Sequence, residues 1–263
     1  DGMRRAQARV QTTDTRVPLP ADVVERVLRS TLAQLPERRR VMDEQALCRW
    51  LRRRYAIVLT FIFMGRQDSS VHLRARDHGI DGDFIWLRLT EKQKRGWRWR
   101  RVVRLPLNAR PACGHASLLP LVARLGRAFL TARKLARAPS EFLFTLAGEA
   151  KRTTAHMGAW LSDTLSEEGV VAPAGFAYLG HSLRSGGSSA AEAILVPRFR
   201  GNWLGGWAQT GRTRELHYID PSILPTPSAY ALLGWLLHGE YLAEPTIAER
   251  APTARALLDV GEP

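Results

Sequence analysis

Three things are scarce in this 263-residue chain, and each scarcity closes off a class of protein. Cysteine is nearly absent: Cys48 and Cys113 stand alone, without metal spacing between them. That excludes a disulfide-stapled scaffold and a thiolate zinc site, and it leaves two reduced thiols of an intracellular protein. Long apolar runs are missing too. The longest, roughly Ala56–Met64, is far short of the ~20 residues that span a bilayer, and no N-terminal secretory segment appears. Acidic residues are the third lack, 25 Asp and Glu against 39 Lys and Arg, for a net charge of +14. Such an excess favours a polyanionic partner, because each basic side chain set against a phosphate releases condensed counterions. Nucleic acid is preferred over an anionic membrane surface.

Enough remains to build a core. Hydrophobic residues make up 45% of the chain, and the 8 Trp and 8 Phe are spread along most of its length, which excludes low-complexity disorder and suits one large domain or two small ones. Residues 1–17 are polar and basic without helical period and read as a linker or arm. Pro18 and Pro20 introduce a helix with Val24, Val27, Leu28, Leu32 and Leu35 on its apolar face. The basic stretch "PERRR" reads as a break. A second helix runs from about Asp43 through "YAIVLTFIFM" and is ended by Gly65. Segments 83–90 and 98–107 read as strands of a hairpin with a basic tip. A basic helix starts near Leu119, with Pro120 at its head. Others cover "TTAHMGAWLSDTLSEEG" and 181–195, "PRFRGNWLGGWAQTGRT" reads as broken, and "SAYALLGWLLHGEYL" forms an apolar helix before an acidic tail. The class is mainly α with a small antiparallel β-hairpin or sheet (α+β).

Four stretches carry chemistry. In "GHSLRSGGSSAA" (180–191), His181 and Arg184 project from one face of an opening helical turn. Backbone N–H groups and the positive end of the helix dipole converge there, which suits an anion. Gly186 and Gly187 would let that helix pack closely on a neighbour. In "FIFMGRQDSS", Arg66 follows an apolar helix, a rigid place for a guanidinium fork that matches two phosphate oxygens. The hairpin tip carries Lys92, Lys94, Arg95, Arg98, Arg100 and Arg101 around Trp97 and Trp99. It suits DNA backbone, and a lysine there could protonate a leaving alkoxide. Finally, Tyr218 sits in a polar segment, "ELHYIDPS", after a Gly-rich turn. As a nucleophile its phenol would need strong positive charge nearby.

Arginine after an apolar helix, lysine on a hairpin, His-x-x-Arg, tryptophan and then tyrosine follow each other in one order over about residues 20–225. In that order the chain resembles the catalytic domain of the tyrosine recombinases, the phage-integrase family. The wording "HSLRSGGSSAA…LGGW" is most similar to recombinases of DIRS-like or Crypton-like eukaryotic mobile elements. The resemblance implies metal-independent cleavage and rejoining of double-stranded DNA, with no cofactor, by a homo-oligomer (dimer or tetramer) assembled on the DNA. Tyr218 would be the nucleophile, Arg66 and Arg184 the phosphate clamp, Lys92 (or Lys94) the general acid, His181 the proton partner and Trp207 the phosphate's neighbour. It divides the chain into an arm from a missing N-terminal core-binding domain (1–17), a catalytic domain (18–226) and a C-terminal helix with an acidic tail (227–263) suited to docking on a neighbouring protomer. The protein would work in the nucleus if it comes from a eukaryotic element, and otherwise in the cytoplasm at the nucleoid. Related readings are a topoisomerase IB-like or telomere-resolving enzyme, and a non-catalytic DNA-binding relic. Two positions depart from the family pattern. Ser69 stands where an acidic residue usually follows the first arginine, with Asp68 one place earlier, and the interval from Trp207 to Tyr218 is long.

Overall fold

A computed structural model describes residues 16–92, 98–137, 140–150, 152–207 and 212–238, the side chains of 90–92 and 98–101 excepted. Its centre is α2 (Glu44–Ile62), capped at its start by the Asp43 carboxylate, which accepts from the Ala46 N–H at 2.7 Å. Every residue from Arg54 to Ile62 is buried, so this helix is apolar all round and must be enclosed. It is wrapped by α1 (Ala21–Val41), α4 (Leu119–Leu135), α5 (Thr154–Glu167) and α6 (Gly180–Ala193). Tyr55 of α2 meets His78 at 2.7 Å, oxygen to Nε2. That contact docks a three-stranded antiparallel sheet of β1 (His78–Ile80), β2 (Phe84–Lys92) and β3 (Arg98–Pro106) against the helices. The β2–β3 register pairs Phe84 with Pro106 and Lys92 with Arg98.

Two arginines inside this core are paired with carboxylates. Arg54, 1% exposed, donates to Glu168 (2.5 Å), Glu167 (2.8 Å) and Thr31 (3.1 Å), and its guanidinium lies over Trp50 at 4.8 Å. Arg52 pairs with Glu149 at 2.5 Å and stacks on Trp160. Cys48 is buried and Cys113 exposed, and burial pushes the Cys48 thiol up to about 11.

Four expectations need correcting. The basic stretch does not break α1, which runs through Pro36 to Val41. Leu35 stays buried there, and the Arg38 guanidinium lies 5.4 Å from the Trp50 ring, so packing holds the last turns. Within the region read as broken lies a short helix, α7 (Arg198–Gly205). Strand β1 was not expected, since three residues between Asp77 and Asp81 show no alternation. The C-terminal apolar helix is also shorter than read: α9 (Pro227–Leu233) passes into a 3-10 turn, Gly234–Leu237. Its Leu232, Leu233, Trp235 and Leu236 lie in the chain's own core, while the acidic tail falls outside the described residues. Among the described residues no helix is long and apolar enough to cross a membrane.

Candidate active site

Helix α6 is held against the rest of the molecule by what its glycines lack. A Cβ on Gly186 would lie 2.2 Å from the Leu19 carbonyl oxygen, and one on Gly187 would lie 2.3 Å from that of Phe61. Only glycine permits this approach, as the sequence reading anticipated. The close seat buries Arg184, one turn into the helix, to 2% exposure.

Two other helix ends meet that arginine. Helix α2 closes with paired bonds, Gly65 N–H to Thr60 O at 3.0 Å and Met64 N–H to Phe61 O at 3.1 Å. This is a Schellman turn. Its left-handed residue is Met64 (φ 50°), not the expected Gly65. Gly65 is needed for room instead, because a Cβ there would lie 2.0 Å from the Phe63 ring. Helix α7 ends the same way, with Trp207 N–H to Asn202 O at 2.9 Å and Gly206 at φ 70°. A Cβ on Gly205 would lie 1.7 Å from the Trp207 ring. The "LGGW" wording is therefore a turn that lays an indole back over its own helix end.

The two turns and α6 converge on one guanidinium. Arg184 Nη1 donates to Met64 O at 2.5 Å and to Gly205 O at 2.9 Å. Its Cζ stands 3.7 Å from the Trp207 ring centroid and 4.9 Å from that of Tyr218. Trp207 and Tyr218 are 5.3 Å apart, centroid to centroid. Residues 34 positions apart thus form one cationic, aromatic-walled centre.

Tyr218 follows a short helix, α8 (Thr213–His217), and its N–H donates to Arg214 O at 2.9 Å. The Ser189 hydroxyl donates to Tyr218 O at 3.3 Å and accepts the Asp220 N–H at 2.8 Å. In front of the tyrosine lies an open groove of about 760 Å³, lined by His181, Ser185, His217, Tyr218 and Arg16 among others. His181 is exposed at the groove. Its Nδ1 lies 3.1 Å from the Gln67 amide nitrogen, which can only donate, so a neutral ring keeps its proton on Nε2.

Arg66 is exposed and immediately precedes α3 (Gln67–Val71). It stands between Met64, whose carbonyl holds Arg184, and Gln67, which holds His181. The backbone at the first arginine therefore runs beside the His-x-x-Arg box. Asp68, the displaced acidic residue, pairs with His72 at 2.9 Å, and the Arg66 carbonyl accepts from the Ser70 hydroxyl at 3.1 Å. Lys92 ends β2, and Arg98, Arg100 and Arg101 lie in β3. The side chains of these four, and Lys94 and Arg95 altogether, lie outside what is described. Among the described residues no group of three or more His, Cys, Asp or Glu is placed to hold a metal. Sequence reasoning missed Gln67, Ser189, Arg214 and the two carbonyls that hold Arg184.

No family model and no curated protein sequence matches the chain. Solved structures do. The XerH site-specific recombinase bound to palindromic difH substrate, in a post-cleavage complex, superposes with a TM-score of 0.53 at 15% identity, over 75% of this chain and 48% of that one. The same recombinase in a pre-cleavage complex on difH gives 0.53 at 13%, over 79% and 52%. A lambda integrase dimer bound to a COC′ core site gives 0.48 at 15%, over 80% and 50%. The chain thus spans about half the length of these recombinases. What it shares with the XerH structures is the tyrosine recombinase catalytic-domain fold, mostly helical with a small antiparallel sheet.

Proposed function

We propose that the chain breaks and rejoins DNA at specific sites through a 3′-phosphotyrosyl intermediate. The Tyr218 phenol oxygen attacks the scissile phosphorus, the P–O5′ bond breaks, and the leaving 5′-oxygen takes a proton from Lys92. Arg66 and Arg184 neutralise the non-bridging oxygens, where charge builds in the pentavalent transition state. His181, its Nδ1 taken by Gln67, offers Nε2–H to the phosphate or the phenol oxygen, and the phenol proton passes to water in the groove as the O–P bond forms. Trp207 fixes the plane of Arg184. Guanidinium and ammonium groups carry the charge neutralisation, so the step as written uses neither metal nor nucleotide. Double-stranded DNA is the partner, met by the basic hairpin and the groove, with copies of the chain assembling on it. The "HSLRSGGSSAA" and "LGGW" wording extends the reading to a mobile-element recombinase acting wherever its DNA resides.

The single observation that carries this reading is the placement of the Arg184 guanidinium, 4.9 Å from the Tyr218 ring and beside a groove that also exposes His181. A scaffold or membrane-surface protein has no use for bringing these together. The test is covalent capture on a pool of nicked, randomised-sequence duplexes. A slow band on a denaturing gel is expected with the wild-type chain and none with Tyr218→Phe. A band that survives Tyr218→Phe, or none with either protein, overturns the reading. Relaxation of supercoiled plasmid without joining of captured sites would move it to a topoisomerase-like enzyme.

A further inference from the structure

Helix α8 has a single buried residue, and that residue is charged. Arg214 is 0% exposed. Its Nη2 donates to the Ser188 carbonyl at 3.2 Å and lies 3.3 Å from Glu192, a carboxylate whose side chain is itself half exposed. Nε and Nη1 find no hydrogen-bond acceptor among the described residues. The guanidinium fits against α7 only because position 201 is glycine: a Cβ there would lie 2.8 Å from Arg214 Cζ. Burial lowers the pKa of this arginine, with Glu192 and Glu215 opposing.

A buried cation with two nitrogens unmet among the described residues is a costly way to pin five residues, and an apolar side chain would fill the space more cheaply. Such local violations are expected where function and not stability sets the choice. A five-residue helix does not persist on its own. Here its position is set by Arg214, whose own carbonyl accepts the Tyr218 N–H. The guanidinium reaches α6 within two turns of Arg184, the residue Tyr218 covers. Ser189, adjacent to the carbonyl that Arg214 grips, ties the chain on the far side of the tyrosine.

We propose that Arg214 is the positioning residue for Tyr218, fixing the phenol over Arg184 by anchoring α8 to the helix that carries the phosphate clamp. This rests on the reading of Tyr218 as nucleophile.

The test compares wild type, Arg214→Ala and Ser189→Ala. On a duplex captured by the wild-type chain, single-turnover adduct formation by Arg214→Ala is expected to slow about a hundredfold, the scale of loss when a reacting group is misplaced by about 1 Å. Duplex affinity stays within about twofold, because Arg214 is sealed from the groove, and methylguanidinium restores the rate by refilling the space. Ser189→Ala gives a smaller loss in the same direction. Without DNA, amide exchange at Tyr218 is expected to quicken about tenfold in Arg214→Ala as α8 opens locally. An unchanged cleavage rate, affinity falling in step with rate, or no rescue overturns the proposal. Should the wild-type chain form no adduct, the nucleophile reading falls, and the exchange measurement alone decides whether Arg214 is the anchor.

Discussion

Arg54 and Arg184 are both almost fully buried, and the molecule treats them in opposite ways. Arg54 is met by two carboxylates and a hydroxyl, so its charge is cancelled where it lies. Arg184 is held by two main-chain carbonyls and two aromatic faces. These four partners are neutral groups, and they fix the orientation of the guanidinium beside the Tyr218 ring. Pairing of the first kind builds a core, whereas holding of the second kind fixes the plane and position of a guanidinium.

Replacing each arginine would sharpen this contrast. The largest expected effect is in Arg184→Ala, where adduct formation falls about 10²–10³-fold, the usual scale for losing one preorganised donor to transition-state charge. Equilibrium denaturation should show a separate cost of about 1–3 kcal/mol from the stranded Met64 and Gly205 carbonyls. A variant that cleaves at the wild-type rate would end the contrast. Arg54→Met should instead destabilise by about 3–5 kcal/mol, because Glu168 is left buried and uncompensated, and the double change with Glu168→Leu should recover most of it. No recovery would mean that Arg54 is valued for more than its pairing.

The smallest effect is the dependence of stability on pH, and it should belong to the paired region. Burial alone would raise the Glu149 carboxyl, but hydrogen bonds from Arg52, Arg152 and the Leu146 N–H override this and hold it at about 2, against an ordinary 4.5. Its folded-state value is depressed, so the stability it contributes is present above about 4.5 and is lost as pH falls through about 2. Burial also lowers His78 from 6.5 to about 4. The unfolded chain therefore binds the extra proton between those values, and stability declines as pH drops through that window. Glu149→Gln should flatten the lower limb of a denaturation-against-pH curve, and His78→Phe the upper. An unchanged curve in both would refute the assignment.

One side of this contrast was legible beforehand, and Arg54 with its carboxylates was not. Arg66, His181, Arg184, Trp207 and Tyr218 stood out by their order, and Gly186 and Gly187 by what a missing side chain permits. Arg214 did not. In "GRTRELHY" it looks like one more exposed cation, and what buries it is the empty side of Gly201, thirteen positions earlier, together with a carbonyl of α6. Local sequence does not encode that kind of meeting. Met64 was hidden for a similar reason. Glycine is the usual left-handed residue at a helix end, yet here Gly65 is required by the Phe63 ring and methionine takes the unfavourable angle. Strand β1 gave no periodic signal, being defined only by its partner β2.

Arg184 Nη1 is shared between carbonyls 120 residues before it and 21 after it. A ribosome that has just released Arg184 has yet to make Gly205, Trp207 or Tyr218. The cation therefore has no fixed address, and no phenol to work with, until synthesis has passed residue 218. A product that ends before Gly205 holds Arg184 by the Met64 carbonyl without its second carbonyl partner, and it carries neither the indole nor the phenol of this centre.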